Sequence, residues 1–192
     1  KIEDCIITLK TLNDASGGII YMQGGFINKK KKKNSTVWGS AKTGGYFLRY
    51  NNSGRPDRAG FTSGSINFLN NTFYNVVYSG QMGNYSGMNS ALVKLQLNRN
   101  IFVDCGSNYV VRRLSVSSTN MVRVNFGYNN YWYDGAFPLA NEIERADGDK
   151  SKTEIKIDPS FANPSNGDFT INSSSTDIIT NSTGDPRWIP AQ

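Results

Sequence analysis

The sequence contains no histidine among its 192 residues. This absence excludes a Ser-His-Asp triad, a Cys-His pair, a zinc site with histidine ligands and acid–base chemistry that depends on imidazole. Cysteine is scarce as well, because Cys5 and Cys105 are the only two, and no CxxC spacing occurs. Two cysteines are too few for a zinc-finger site. The sequence leaves open whether they form a disulfide or fill apolar space as free thiols.

Long apolar runs are also missing. No stretch approaches the roughly 18 residues that a membrane helix needs, so we expect no membrane insertion of this segment. There is no signal-peptide pattern, and the chain opens on Lys1–Cys5 with an apolar stretch directly behind. We therefore expect a portion of a larger protein with further N-terminal domains. Aromatic residues make up 12% of the chain, which is unlike a disordered composition.

The charge is moderately basic, with a formal net charge of +6. Five of the positive charges lie in the run Lys29–Lys33, which predicts a solvated loop or, alternatively, an anion-binding loop. The net charge suits an anionic polysaccharide, a membrane surface or a nucleic acid. The basic residues do not interleave with aromatic residues as in a known nucleic-acid module, so we expect no nucleic-acid partner.

A repeat of about thirty residues organises the middle of the chain. Each copy has an alternating apolar strand, an asparagine, a short aromatic strand and then Asn or Asp. The copies are Ile66–Asn75, Leu95–Asp104 and Val124–Asp134, and their anchoring asparagines are Asn71, Asn100 and Asn130. A weaker copy, Ile2–Ile7, has Asp4 in the place of the asparagine. Between it and Asn71 there is room for two turns, or for one turn with a long insertion.

Strands at a fixed period with asparagine at the bend predict an all-β fold, a right-handed parallel β-helix. Asparagine tolerates the left-handed backbone region and can bond neighbouring backbone groups, so stacked copies can form a ladder. One coil cannot bury its apolar face alone, and several must stack. A β-sandwich is the alternative, but it would not give a strand–Asn–aromatic unit at this spacing.

The expected layout has coils over residues 1–153 and a C-terminal capping segment over 154–192. Each coil has three strands, for example Val93–Leu97, Ile101–Val103 and Tyr109–Leu114. Residues 24–63 are rich in Gly, Lys and Asn, which predicts a long inserted loop with one strand near Tyr46–Tyr50.

The C-terminal part contains three short motifs before a distinctive ending. They are Asp158-Pro-Ser-Phe161, Asn166-Gly-Asp-Phe169 and Ser175-Thr-Asp-Ile-Ile179, followed by Gly184-Asp-Pro-Arg-Trp188. This pattern resembles the closing segment of many secreted β-helix polysaccharide enzymes. The ending is similar to that of an uncharacterised, pectate-lyase-like family of Bacteroidetes surface or secreted proteins from glycan-utilisation loci. The resemblance covers roughly residues 60–190.

The resemblance implies a secreted or outer-cell-surface protein of a bacterial glycan-degradation system, often preceded by fibronectin-like modules. It also implies that the C-terminal segment ends the last coil and covers the open end of the stack. A cap there is physically sensible, because an open end exposes strand edges. Phe161, Phe169 and Trp188 could cover it, and Asp185 with Arg187 is interpreted as a structural pair.

Polysaccharide lyases on the resembled fold use Lys or Arg as the base that removes a proton next to a uronate carboxylate. Arg112 and Arg113 are the strongest candidates, and Lys94 is the third. Neighbours in a strand point to opposite faces, so one of the two arginines should face outward. Solvated strand residues are the simpler interpretation of all three.

A set of aromatic and basic residues could contact sugar rings and carboxylates, because aromatic faces are flat and amphipathic. The candidate glycan-binding residues are Tyr109, Arg99, Arg123, Trp132, Tyr128, Trp38 and Tyr46. Alternation also sends some aromatic residues near Trp132 into the core, and Tyr131 and Tyr133 are candidates for that role.

Carboxylates give weaker signals. Asp147-Gly-Asp149 could hold calcium, but it lacks the further ligands of an EF-hand loop, so no cofactor is expected and calcium stays as the alternative. Asp104 and Asp134 follow the aromatic strands and predict turn residues. Paired glycosidase carboxylates could come from Asp57, Asp104, Asp134 or Glu142, with no way to pair them.

These observations lead to three hypotheses. The first is a secreted or cell-surface domain that binds a polysaccharide, preferably an acidic one. The second is a polysaccharide lyase or glycoside hydrolase that uses Arg or Lys on the strand face. The third is a structural or adhesive surface solenoid.

Overall fold

A computed structural model describes residues 2–9, 20–23, 30–39, 46–51, 64–76, 81–84, 93–105, 124–134, 149 and 151–191. Thirteen short strands make up most of the regular structure in these ranges, and the α-helix there, α1, spans only Thr176–Thr180. The predicted all-β class is therefore confirmed. No helix within the described ranges is long and apolar enough to cross a membrane.

The strands form three sheets in which every strand pair is parallel. The first sheet has the order β1 (Ile2–Glu3), β4 (Lys30–Lys33), β7 (Gly64–Leu69), β10 (Val93–Asn98) and β12 (Val124–Gly127). The second has the order β2 (Ile6–Leu9), β5 (Thr36–Gly39), β8 (Thr72–Tyr74), β11 (Ile101–Val103) and β13 (Asn130–Trp132). The third has the order β3 (Ile20–Gln23), β6 (Tyr46–Asn51) and β9 (Gln81–Asn84).

The chain visits the sheets in a fixed order: each of the first three repeats adds one strand to each of the three sheets, and the last two repeats add described strands to the first and second sheets. Consecutive repeats stack in register: Ile66 pairs with Leu95, and Leu95 pairs with Val124. The predicted repeat is therefore present in the structure. Its third anchor differs by one place, because Asn129 rather than Asn130 stacks on Asn100, whereas Asn130 pairs with Ile101 in the second sheet.

The start of the chain also differs from the sequence prediction. Strands β4, β5 and β6 lie within residues 24–63 and extend all three sheets, so the space before Asn71 holds two repeats. The lysine run contributes β4, which pairs with β1 on one side and β7 on the other. Backbone hydrogen bonds to two neighbouring strands and burial of Val37 and Phe47 favour strands here over a solvated loop.

The core lies on the inner face of the second sheet, where aromatic rings at equivalent places stack from repeat to repeat. The ring centroids of Phe73 and Phe102 are 5.1 Å apart, and those of Phe102 and Tyr131 are 5.5 Å apart. Phe47 from the third sheet and Phe68 from the first pack on Phe73 in tilted or edge-on geometry. Large rings of this kind contribute much of the apolar area that the fold buries.

The outer face of the second sheet is covered by residues 154–191, which we call the C-terminal segment. Ile101 and Val103 of β11 form a buried cluster there with Ile155, Ile171 and Ile178. Apolar residues on both faces of a strand are typical of a sheet that is buried on both sides.

The C-terminal segment differs in part from the predicted end cap. Ile155 bridges to Asn130, so its start does cover the last edge of the second sheet. Phe161, Phe169 and Trp188 instead pack along the side of the stack, where Phe169 contacts Trp38 and Tyr74 of earlier repeats. On this face the rings pack against other aromatic side chains and against the buried isoleucine cluster, which removes their apolar area from water. The predicted domain boundary at residue 153 stays a prediction.

Candidate functional site

The bend between the first and second sheets has the same backbone geometry in every repeat. One residue per repeat adopts a left-handed conformation with φ between 49° and 53°. We call this set the bend column: Asp4, Asn34, Asn70, Arg99 and Tyr128. Asn and Asp tolerate this conformation best, whereas a bulky side chain there is unusual. An unusual backbone conformation that the fold holds in place is a reason to look for function.

Backbone hydrogen bonds between repeats hold the bend. Asn70 N donates to Asn98 O at 3.0 Å, and Arg99 N donates to Gly127 O at 2.8 Å. Since each bend residue is fixed to the next repeat, successive side chains of the bend column lie about 4.8 Å apart along the stack, the spacing of neighbouring strands.

In the last three repeats, the residue that directly follows the bend column is a buried asparagine, and these three side chains form a hydrogen-bonded asparagine ladder. Asn71 Nδ2 donates to Asn100 Oδ1 at 2.8 Å, and Asn100 Nδ2 donates to Asn129 Oδ1 at 3.0 Å. Asn129 Nδ2 in turn donates to Asp149 Oδ2 at 3.3 Å. The ladder satisfies buried polar groups in three consecutive repeats, as the sequence predicts for stacked asparagines.

Asp149 closes the ladder at the last repeat. Its carboxylate also accepts a hydrogen bond from the Tyr131 hydroxyl at 2.8 Å and one from Ser151 N at 3.0 Å. Burial raises the pKa of Tyr131 well above its ordinary value, and the negative charge of Asp149 is the second cause of this increase. The described ranges contain no group of three or more potential metal ligands. Asp147 lies outside those ranges, so the calcium alternative stays a prediction.

Two members of the bend column form an exposed pair. The Arg99 guanidinium lies over the Tyr128 ring, with its central carbon 5.5 Å from the ring centroid. Tyr128 is 39% exposed, and Arg99 is exposed as well. Arg99 Nε donates to Asn181 O at 2.9 Å, which orients the guanidinium. Cation–π contact and this hydrogen bond hold a positive charge and an aromatic ring together at the surface.

The C-terminal segment fixes the bend column from one side. Gly184 N donates to Arg99 O at 2.8 Å, and Thr183 Oγ1 donates to Tyr128 O at 2.9 Å. Gly184 has φ +97°, and a Cβ there would lie 2.6 Å from Ile101 Cδ1, so glycine allows this close approach. The segment therefore positions the corner at which Arg99 and Tyr128 lie.

A buried acid anchors the same segment to the first repeats. Asp185 is completely buried and accepts a hydrogen bond from Thr36 Oγ1 at 2.7 Å. It also forms a salt bridge with Arg187, whose Nη2 donates to Cys5 O at 3.0 Å. The hydrogen bond that the Arg187 guanidinium donates to Asp185 raises the pKa of Arg187. The interpretation of Asp185 and Arg187 as a structural pair is confirmed.

The structure brings together only Arg99 and Tyr128 among the predicted site residues that it describes. Trp38 and Trp132 lie half-buried on the outer face of the second sheet, where Trp38 packs on Phe169 and Trp132 packs on the buried isoleucine cluster. Both have packing roles there, and their predicted sugar contacts stay predictions.

The remaining candidates are spread over other parts of the chain. Lys94 lies in β10 opposite Ser65, and Tyr46 lies in β6 opposite Gln81. Four further candidates lie outside the described residues: Tyr109, Arg112, Arg113 and Arg123. The predicted lyase base is therefore not located by the structure.

The predicted turn role of Asp104 is confirmed, because it adopts φ 50° and its Oδ1 accepts a hydrogen bond from Asp134 N at 2.8 Å. The other suggested glycosidase carboxylates, Asp57 and Glu142, lie outside the described residues. Cys5 and Cys105, both within the described residues, form no disulfide. Complete burial raises the pKa of Cys105, which keeps this thiol protonated and inert.

Sequence reasoning missed Lys152, which among the described residues is the next exposed residue after Tyr128 with a left-handed backbone, at φ 59°. The bend column itself carries a signal, because Asn70, Arg99 and Tyr128 are 29 residues apart and each directly precedes a ladder asparagine. Lys152 follows Tyr128 by only 24 residues, so the repeat spacing could not have found it.

Comparisons with known proteins return one result. Neither the curated proteins nor the solved structures include a match to this chain. The family model described as a domain of unknown function (DUF5123) matches residues 66–188, about two thirds of the chain. The match includes the asparagine ladder, the exposed Arg99–Tyr128 pair and the Gly184–Trp188 ending. The chain belongs to the DUF5123 family.

Proposed function

We propose that this chain is a right-handed parallel β-helix domain that binds an acidic polysaccharide. The proposal includes a secreted or outer-cell-surface location in a bacterial glycan-degradation system. The ending Gly184–Trp188 supports a relationship to pectate-lyase-like proteins of Bacteroidetes, which is the source of the proposed location.

Three features support the β-helix. All strand pairs are parallel, whereas the sheets of a β-sandwich are antiparallel. Each described repeat adds one strand to the first and second sheets, and the first three repeats also add one to the third sheet, always in the same order. Connections between parallel strands are right-handed in nearly all proteins, so a continuous path of this kind winds as a right-handed coil.

The Arg99–Tyr128 pair is the observation that carries the binding function. An aromatic ring can pack against the apolar face of a sugar, and a guanidinium can donate paired hydrogen bonds to a carboxylate. Within the described residues, the hydrogen bond from the Arg99 guanidinium uses Nε alone, so its terminal nitrogens remain as donors. A uronate combines the two groups that this pair would recognise.

The pair favours binding over catalysis. Removing the proton next to a uronate carboxylate needs a base as well as a neutralising cation. Within the described residues, the neighbours hydrogen-bonded to Arg99 and Tyr128 are backbone groups and the hydroxyls of Thr153 and Thr183. The lyase alternative depends on Arg112 and Arg113 and stays a prediction.

Affinity electrophoresis in gels that contain polygalacturonate tests the proposal. Migration of the unaltered chain should be retarded, and the retardation should disappear when the carboxylates of the polymer are methyl-esterified. Arg99→Asn and Tyr128→Asn are suitable variants, because Asn34 and Asn70 already occupy the same bend position. Both variants should lose retardation, while Lys156→Ala should keep it, since Lys156 is exposed but lies outside the bend column. Equal retardation in both gels would refute binding of an acidic polysaccharide.

Simultaneous ultraviolet absorbance of the polymer solution separates the two functions. A binding domain leaves the absorbance flat, because no unsaturated uronate forms. Rising absorbance would establish the lyase alternative and would direct mutagenesis to Arg112, Arg113 and Lys94.

A further inference from the structure

We infer that the bend column is a multi-residue site along the stack, in which Lys152 provides a second carboxylate subsite beyond Tyr128. The inference rests on the proposed function and specifies its ligand: a linear polymer with regularly spaced carboxylates, lying perpendicular to the strands.

Lys152 lies at the surface one residue before Thr153, and Thr153 is the residue that matches Tyr128 in the next layer, because Ile155 bridges to Asn130. Lys152 is exposed, and its φ is 59°. Thr153 Oγ1 accepts a hydrogen bond from Tyr128 N at 3.0 Å, so this part of the chain lies against the bend residue of the preceding repeat. Arg99 and Tyr128 therefore lie in consecutive layers of the bend column, and Lys152 lies beside the position that follows Tyr128 in the next layer.

Hydrogen bonds to buried and partly buried residues fix the backbone around Lys152. Ser151 N donates to Asp149 Oδ1 at 3.0 Å, and Thr153 Oγ1 donates to Ser151 Oγ at 2.8 Å. Asp149 in turn closes the asparagine ladder through Asn129. The carboxylate that closes the buried ladder thus also fixes the turn that carries the exposed lysine.

The spacing defines the ligand. Layers of a parallel stack are about 4.8 Å apart, so the backbones of Arg99 and Lys152 are separated by about 10 Å along the axis. A single uronate cannot reach both cations, whereas a uronate oligomer can place one carboxylate on each and a sugar ring on Tyr128. The second cation should therefore raise affinity only for ligands long enough to contact both subsites.

Isothermal titration calorimetry with galacturonate hexamer and monomer tests this ligand length. Lys152→Ala should lower hexamer affinity about threefold to fivefold, the effect of one exposed ion pair. The affinity of the Lys152→Ala variant for the monomer should not change, because a single uronate bound at Arg99 does not reach Lys152. Lys156→Ala is the matched control, since it removes an exposed lysine four residues away and should leave both affinities unchanged.

The other outcomes distinguish the two proposals. If Arg99→Asn weakens hexamer binding and Lys152→Ala does not, the second subsite is wrong and the proposed function stands. If Lys152→Ala and Lys156→Ala weaken binding equally, the lysine effect is general charge attraction, and the subsite is again wrong. If the unaltered chain binds neither hexamer nor polymer, the proposed function fails and the inference fails with it.

Discussion

The bend column and the column of residues that follows it lie one residue apart and differ in chemistry. The exposed column reads Asp4, Asn34, Asn70, Arg99 and Tyr128. The inner column reads Cys5, Ser35, Asn71, Asn100 and Asn129, and its last three members are the same residue type. Both columns pass through the same bend, but only the bend column has the left-handed backbone conformation and only the inner column is largely buried, so backbone geometry and burial both contribute to the difference.

Burial restricts the inner column because each side chain must satisfy polar groups of its neighbours. Asn100 illustrates this: Nδ2 donates to Phe68 O at 2.9 Å, while Oδ1 accepts from Asn71 N at 3.1 Å. The bend column is not restricted in this way, because water can form hydrogen bonds with its side chains in place of protein groups. The comparison teaches that, in each bend, a residue that stabilises the fold directly follows a residue whose side chain is not needed for stability.

The largest effect should come from breaking the inner column. Asn100→Ala leaves Asn71 N and Phe68 O buried without that side chain as a partner, which should lower the free energy of unfolding by about 3–5 kcal/mol. Urea unfolding followed by circular dichroism measures the loss. A change below about 1 kcal/mol would mean that the ladder is not a principal source of stability.

The next largest effect should come from loosening the C-terminal segment where it approaches the bend. Gly184→Ala introduces a Cβ into the side chain of Ile101 at a positive φ. The steric overlap and backbone strain should cost about 2–3 kcal/mol. Thermal unfolding tests this expectation, with Gly167→Ala as a comparison, because its positive φ is similar but its Cβ meets Trp38 at an ordinary 3.6 Å. Equal losses in the two variants would refute the close-approach explanation.

Titration of Tyr131 should give a pH-dependent effect. The pKa of Tyr131 is raised in the folded state. Its contribution to the free energy of unfolding is therefore fully present below pH 10.0, the ordinary pKa, and is lost as the pH rises from there toward the folded pKa. Tyr131→Phe should cost about 1–2 kcal/mol at pH 8 and should reduce the alkaline loss of stability. Unfolding between pH 8 and pH 11 shows both effects, and an unchanged alkaline slope would contradict the buried hydroxyl–Asp149 interaction.

The smallest effect on stability should come from the bend column. Arg99→Asn loses the contacts with Tyr128 and Asn181 but gains a residue that suits the left-handed conformation. We expect the free energy of unfolding to change by no more than about 0.5 kcal/mol. Chemical denaturation measures this value, and a loss of several kcal/mol would place Arg99 among the residues that hold the fold.

The later repeats could be predicted from the sequence, together with strands near Ile2–Ile7 and Tyr46–Tyr50, whereas the lysine strand of the second repeat could not. Alternating apolar residues around Leu95 and Val124 mark strands, and the spacing of 29 residues places them in register. Near the start, the strand β4 is a lysine run without apolar alternation, and the bend positions Asp4, Asn34 and Asn70 are 30 and 36 residues apart. The structure of β4 is determined by its pairing with two neighbouring strands, and the local sequence does not reveal this pairing.

The site was predictable only in part. Arg99 and Tyr128 could be identified as candidates from their residue types and their similar positions in successive repeats. Their direct contact depends on which residues of neighbouring repeats lie side by side at the bend. Adjacent Asn129 and Asn130 obscured that register, because either fits the repeat at a spacing of 29 or 30. The path of the C-terminal segment was hidden as well, since hydrogen bonds that join Asp185 to Thr36 cross 149 positions of sequence.

The most direct test of the account measures binding and stability on the same variant. For Arg99→Asn, titration with polygalacturonate should show an affinity at least about tenfold lower, the loss of one charge-assisted contact. Urea unfolding of the same sample should match that of the unaltered chain. Unchanged affinity would contradict the account, because the exposed column would then have no part in binding. Lost affinity together with lost stability would also contradict it, because the two columns would then share one structural role.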